Sequence, residues 1–417
     1  MKKNLLLAFA AVCALGASAQ DFTVNNVNYN ILDENAATVE ITTGSYTGQT
    51  LESRYGDNPT VAYSGKNYTV VAVGENAFKD QTPKFNLGIL NLGSNIASIA
   101  EGAFQNAKIG TTNNSYQMNT VVIGSSTINW HPKAFIGNHI RAFNISSDSR
   151  YMTLAETMAI SPANAHRGII FSKDGTVLYV FPGDQCKSTD RDYTYTPGVL
   201  YTLPASVTTI ADYAFSGNPN LRAIATTTNL KVIGEEALSH SVIEGFTVPA
   251  GVTTLGPGFI AGAKKITAIG VAEDNAYFQA INGCVYTKVA EAAPALKDAE
   301  GMTLVAVPYA IANSLLEVAD GTTAIAPKAA LDADIKTLEL PASLETIGAN
   351  AFKGDNAITK IICNAIEAPA GADFEEEVFA AELVLPENAN LDSYYNDPVW
   401  SQFELPASHP HRRYRPE

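Results

Sequence analysis

Two hydrophobic patterns alternate along the chain. The first, apolar-x-x-apolar-x-apolar, reads Leu87, Leu90, Leu92; Met118, Val121, Ile123; Ile140, Phe143, Ile145; Ile243, Phe246, Val248; Ile266, Ile269, Val271; Ile335, Leu338, Leu340; and Ile358, Ile361, Cys363. Leu221 and Ile224 begin a further copy whose third position is Thr226. The last three positions alternate apolar, other, apolar, the period-two signature of a short strand with one buried face. Each copy therefore predicts one strand for a parallel ladder.

The second pattern ends in Ala-Phe. It reads Val73-Gly74-Glu75-Asn76-Ala77-Phe78, Ile99-Ala100-Glu101-Gly102-Ala103-Phe104, Ile210-Ala211-Asp212-Tyr213-Ala214-Phe215 and Ile347-Gly348-Ala349-Asn350-Ala351-Phe352, with looser copies ending at Phe135, Leu238, Phe259 and Ala330. Each copy is expected to form one tight helical turn, its alanine letting neighbouring coils approach and its phenylalanine filling the space between layers. A unit repeated every ~20–30 residues builds a solenoid, because such a unit buries its apolar face only against its neighbours. The expected fold is thus mainly β with short helical turns, a solenoid with two β-hairpin inserts and terminal caps. Prolines at 204, 249, 341 and 386 close strands where a ladder donor is no longer needed.

The Ala-Phe spacing fails twice, between Phe135 and Phe215 and between Phe259 and Ala330. The two interruptions resemble each other: Gly168 to Lys173 matches Gly283 to Lys288, and Gly175 to Pro182 matches Gly301 to Pro308. In the first, Lys173-Asp174-Gly175 predicts a tight hairpin turn. In the second, Val289 to Glu300, rich in alanine and acid, replaces it. The expected organisation is a signal peptide at 1–19, an N-terminal β cap at 20–69, a solenoid at 70–382 with inserts at about 146–197 and 271–316, and a C-terminal cap with a basic tail at 383–417. Phe22-Thr23-Val24 followed by Asn25-Asn26 opens the first cap as antiparallel strands. Leu383, Leu385, Tyr394, Tyr395, Trp400 and Phe403 supply the apolar surface of the second.

Composition narrows the setting. Lys2 and Lys3, the apolar run Leu5 to Leu15 and then Ala17-Ser18-Ala19 have the order of a secretory signal peptide. The run is shorter than the roughly 20 residues that span a bilayer. This predicts export, to the cell surface, the medium or the periplasm, and not an integral membrane protein. Cys13 lacks the residues that precede a lipidated cysteine. Cleavage removes two lysines and no acid, taking the formal net charge from −15 to −17. Such a chain repels nucleic acid and anionic membranes, which require basic patches. Arg412, Arg413 and Arg415, near His409 and His411, read as a solvated tail. Cys186, Cys284 and Cys363 are too few and too far apart for a disulfide framework, and Cys363 occupies a buried aliphatic position of the strand pattern.

The runs Leu-Pro-Ala-Ser-Val-Thr-Thr-Ile-Ala-Asp-Tyr-Ala-Phe at 203–215 and Leu-Pro-Ala-Ser-Leu-Glu-Thr-Ile-Gly-Ala-Asn-Ala-Phe at 340–352 resemble the bacterial leucine-rich repeats of the BspA type, also called the Treponema pallidum type. The likeness covers roughly residues 70–385. It implies an exported or surface-displayed protein, some relatives being implicated in adhesion to host matrix proteins or other bacteria. It supplies no ligand residues to carry over.

No catalytic or cofactor-binding constellation stands out. The six histidines, His131, His139, His166, His240, His409 and His411, form no metal-ligand pair on a helix, and Asp373 to Glu377, like Asp332 and Asp334, read as solvated turns. No cofactor, metal or catalytic residue is assigned. Two surfaces remain. The outward positions of the strand ladder include Asn91, Thr120, Asn144, Thr247, Thr337, Glu339 and Lys360, on a face otherwise small and nearly uncharged. The aromatics around the first insert, Tyr151, Tyr179, Phe181, Tyr193, Tyr195 and Tyr201, suit a partner-binding patch, since tyrosine is favoured at interface hot spots. The expectation is a non-enzymatic protein that binds an extracellular protein or, alternatively, a glycan. Its oligomeric state is left open.

Overall fold

A computed structural model describes residues 20–46, 50–51, 60–81, 84–85, 89–107, 120–127, 129–138, 140, 142–146, 148–149, 152–154, 168–183, 199–289 and 301–406. The signal-peptide segment, Tyr151, Tyr193, Tyr195, Cys186, His139, His166 and the basic tail lie outside them. The chain divides into two units, Met1–Thr196 and Pro197–Glu417. Both are mainly β and are built as stacked coils.

In the first unit the strands Ile89–Asn91, Thr120–Ile123 and Ala142–Ile145 pair in parallel, with Leu90 beside Val121 and Val121 beside Phe143. In the second, Val199–Thr202 pairs with Leu221–Ala225, Phe246–Val248 pairs with Ile269–Val271, and Leu315–Glu317, Thr337–Leu340, Lys360–Cys363 and Glu382–Val384 form one parallel sheet. Of the pattern's described apolar positions, Leu90, Val121, Phe143, Phe246, Ile269, Leu338 and Ile361 are buried. A second ladder, which the strand pattern does not announce, runs along another side of the coils. Several of its rungs are only two residues long, such as Thr209–Ile210, Val232–Ile233 and Thr254–Leu255. The strands end just before Pro204, Pro249, Pro341 and Pro386, and each of these prolines also opens a turn, as where Val207 donates to the Pro204 carbonyl at 3.0 Å and Leu344 to that of Pro341 at 3.2 Å.

The Ala-Phe segments are not helical turns. They are strings of β-turns in which alternate amides point in different directions. In the first copy Ala77, Lys79 and Gln81 donate to carbonyls three residues back, while Asn76, Phe78 and Asp80 donate to Glu101, Ala103 and Gln105 of the next coil at 2.8–3.0 Å. A helix would direct every amide along its own axis and leave the coils unlinked. The alternation requires left-handed backbone at the motif's fourth position and again four residues later. Asn76 (φ 54°) and Asp80 (φ 58°) adopt it in one coil, Asn350 (φ 56°) and Gly354 (φ 83°) in another. Asparagine, aspartate and glycine tolerate that region best, which accounts for their recurrence. The exception is Pro132–Phe135, a 3₁₀ turn whose proline fixes the right-handed start.

The phenylalanines stack from coil to coil. Phe78, Phe104 and Phe135 lie 5.0 Å apart, centroid to centroid, and within 7° of parallel. One copy is displaced by a residue: Phe259 donates to Gly256 as Ala351 does to Gly348, so it occupies the alanine position and Ile260 takes the aromatic place. Both are buried.

The ends of the solenoid are closed differently. Phe22–Val24 and Val27–Asp33 form an antiparallel hairpin through Asn25 (φ 50°) and Asn26 (φ 63°), the two positive angles of a tight hairpin turn. Thr38–Ile41 pairs antiparallel with Val27–Asp33 and in parallel with Lys66–Val73, joining this meander to the second ladder. At the other end Tyr394, on the short helix Leu391–Asn396, and Trp400 are fully buried against the last coil. Trp400 donates its indole N–H to Pro369 at 2.8 Å, and Tyr394 its hydroxyl to Ala365 at 2.8 Å. Tyr395, the neighbouring ring, faces solvent.

Candidate functional site

The two interruptions of the repeat are the same structure twice. Met152–Leu154, Ile170–Ser172 and Val177–Val180 form an antiparallel meander, and so do Phe278–Ile281, Cys284–Thr287 and Met302–Ala306. Both carry a register shift at the equivalent step, between Ile170 and Phe171 and between Val285 and Tyr286. The hairpin turn of the first is locked by Asp174, whose Oδ1 accepts the hydroxyls of Ser172 (2.6 Å) and Thr176 (2.7 Å) and the Thr176 amide (3.1 Å). Those hydroxyls hold its carboxyl down at about 2.

These hairpins contribute mostly to the core. Phe171 and Tyr286 are buried, and Tyr286 accepts the Ala319 amide at 3.1 Å. Of the six aromatics proposed from the sequence, Tyr179 is exposed, at 39%. Phe181 and Tyr201 turn inward, at 5% and 2% exposure, so neither presents a ring to a partner. The register explains Tyr201. It pairs beside Ile224 and follows Leu200 in one strand, where successive side chains point to opposite faces, and Leu200 points out at 59% exposure. Leu200 was missed because leucine in a strand copy is read as core.

The ladder positions read from the sequence fall on separate sheets. Asn91, Val122 and Asn144 share one row, with Thr120 opening the middle strand. Thr337 lies beside Lys360, which pairs with Glu382 at 3.1 Å, and Glu339 lies between Glu317 and Ile362. Thr247 faces solvent next to Gly270, where a Cβ would stand 2.8 Å from the Thr247 hydroxyl.

The ladder is interrupted between Leu221–Ala225 and Phe246–Val248, which belong to separate sheets. An open depression of about 490 Å³ lies there, lined by Ile224, Ala225, Thr226, Gly245, Phe246, Thr247, Ala268 and Gly270. None of the eight is charged. Arg222 and Glu244, paired at 3.2 Å, belong to the same two coils. A surface of this kind offers shape and backbone groups and few point charges.

Charge concentrates on the turn side of the coils. Lys328 reaches Glu235 at 2.7 Å and Glu236 at 2.6 Å, across the intervening coil where Gly258 leaves room. Burial works against the ammonium, but the two glutamates outweigh it and raise its pKa. His240 lies 3.5 Å from Asp332, and His131 lies 3.7 Å from Glu101. Among the described residues no group of three or more His, Cys, Asp or Glu side chains could hold a metal ion, and no helix is long and apolar enough to cross a membrane. Cys284 and Cys363 are buried free thiols.

Comparison with known proteins follows the repeat. Residues 66–154, 199–282 and 315–389 match the profile of the BspA type leucine rich repeat region, in six copies. No curated protein matches the chain. Among solved structures, similarity extends to a leucine rich cell surface protein from Faecalibacterium prausnitzii (15% identity, 91% of this chain and 98% of that one, TM-score 0.38). It extends also to a leucine-rich repeat protein from Eubacterium ventriosum (15%, 89% and 94%, TM-score 0.38) and to the pneumococcal vaccine antigen PcpA (18%, 83% and 71%, TM-score 0.36).

Proposed function

The chain belongs to the BspA-type leucine-rich repeat family, and on that premise we propose that it is an exported, non-enzymatic protein that binds an extracellular macromolecule, a protein, through its strand ladder. The observation that carries this reading is the uncharged depression at the break in the ladder, with exposed Leu200 on the neighbouring strand pair. Exposed apolar groups beside small residues let a partner approach the backbone closely, and binding there rests on shape and on buried apolar area. Adhesion to host matrix proteins or to other bacteria is the role that fits.

Gly245 is the position at which to test it. A Cβ there meets nothing within 4 Å, so an arginine is accommodated without disturbing the coil. Gly245→Arg combined with Thr247→Arg fills the depression with two charges. Retention of the chain on immobilised matrix proteins or bacterial cells is expected, with loss of at least tenfold in the double variant, about 1.4 kcal/mol. Equal retention of the two forms would remove the ladder from the reading; no retention of the native chain would remove adhesion.

A second reading, glycan binding at the first hairpin, is favoured by one observation, the exposed Tyr179 ring. A glycan array separates the two, since Tyr179→Ala would abolish signal there and leave protein capture untouched.

A further inference from the structure

At the turn that follows Phe352 the chain buries a carboxylic acid with nothing to hold it. Asp355 is 1% exposed, and both carboxyl oxygens are shielded from solvent without a hydrogen-bond partner. Equivalent places in other coils show what the position accommodates. Ala107, Ala263 and Ala333 are buried there, and Asn218 is buried with its Oδ1 accepting the Asn220 and Leu221 amides at 3.0 and 2.9 Å. An aspartate fits the space, but its charge does not. Asp332 and Asp334 act on it from the preceding coil, Lys353 lies in its own turn, and Glu375, from the following segment, is committed to the Gly354 amide at 3.3 Å. His240 reaches the far side of the cluster through Asp332.

We propose that Asp355 is a proton-operated latch: the coil around residues 348–363 stays seated on the coil at 326–340 while this carboxyl holds its proton, and opens locally when the proton leaves. The seating is direct, since Lys328, Ala330 and Asp332 donate to the Ala349, Ala351 and Lys353 carbonyls at 2.8–3.1 Å. Burial first, and then the two neighbouring aspartates, push the acid up from 3.8 to about 9. In the opened coil the carboxyl regains water and its ordinary value. Because the closed form holds the proton more tightly, closure is most favourable below about pH 4. It weakens by up to tenfold per pH unit as pH rises toward 9, and is level above that.

Hydrogen exchange of the full chain, read as protection factors by mass spectrometry from pH 5 to pH 8, tests this. Peptides covering 350–363 should lose protection by about a hundredfold or more over that range, while peptides covering 203–215 keep theirs. Asp355→Asn, which copies the residue at position 218, should make the 350–363 profile flat. A flat profile in the native chain, or the same slope in Asp355→Asn, overturns the latch. Should that variant fail to fold, Asp332→Asn with Asp334→Asn removes the like charges from outside the buried turn. The loss of protection should then end at a lower pH, and an unchanged profile overturns the proposal.

Discussion

The parallel ring stack is the element of the first unit whose energy is most open to test. Phe104 is 1% exposed and lies between Phe78 and Phe135, each at 5.0 Å and nearly parallel. Phe352 is also buried but has one stacked ring, Phe374, at 5.5 Å and 15°. Truncation to alanine removes the same apolar area at both sites. At ~25 cal/mol per Å² over roughly 150 Å² that is about 4 kcal/mol, within the range of about 3–5 kcal/mol measured for buried phenylalanines. Each ring contact adds about 1 kcal/mol beyond area.

Leucine separates the terms, because it keeps most of the apolar volume and deletes the ring. Phe104→Leu should cost about 1 kcal/mol more than Phe352→Leu, the worth of the additional partner. The assay is native-state hydrogen exchange, which reads the opening free energy of each coil separately and suits a solenoid whose coils contact only their neighbours. A cycle with Phe78→Leu gives the coupling directly and should return about 1 kcal/mol. Equal costs at the two sites, with no coupling in the cycle, would show that the rings contribute area alone.

Three further outcomes are expected. Lys328→Met should destabilise the second unit by about 2 kcal/mol in chemical denaturation, because it leaves Glu235 and Glu236 facing each other without their shared cation; since the Lys328 pKa is raised, its contribution should be full at neutral pH and disappear only above its ordinary 10.5. Gly256→Ala should lower the melting temperature sharply, its Cβ falling 2.3 Å from the Glu235 amide nitrogen, whereas Gly245→Ala, with open space around it, should leave it unchanged. Cys284, whose thiol is driven up to about 12 by burial, and Cys363 should resist a thiol-reactive dye in the native state and react in step with unfolding.

Much of this architecture is legible in the sequence because a solenoid repeats its instructions. Leu90, Val121 and Phe143 recur at one spacing and all face the core, and the similarity of Gly168 to Lys173 with Gly283 to Lys288 foretells two hairpins of the same register. The turns were legible in position but not in conformation. Gly-x-x-Ala-Phe has the length of a helical turn, and only the demand for bonds between coils selects alternating β-turns in its place. That signal was available in Asn76, Asn350 and Gly102, residues suited to positive φ at one motif position. Phe181 and Tyr201 turn inward for a different reason. Tyrosine serves both interface and core, and the strand register that buries Tyr201 depends on a bulge between Val199 and Leu200 that no periodicity reveals.

The distribution of charge follows from stacking geometry. In a parallel ladder, equivalent positions of successive coils lie roughly 4.8 Å apart, so a charge adopted at one position meets its own kind at the next. Glu317 and Glu339 illustrate the juxtaposition, and Lys360 is tolerated between Thr337 and Glu382 because its neighbours differ. A small neutral face is the general solution. The turn side has another one, because its left-handed positions admit Tyr213, Glu236, Gly258, Lys328 and Asn350 in turn, and a glycine lets a lysine reach past it to glutamates two coils away. Charge therefore fastens coils on the side where residue types vary, and the ladder around the depression between Leu221–Ala225 and Phe246–Val248 is lined by uncharged residues. A partner that docks in that depression meets eight uncharged residues, so a single introduced charge is a large perturbation there and a small one on the turn side.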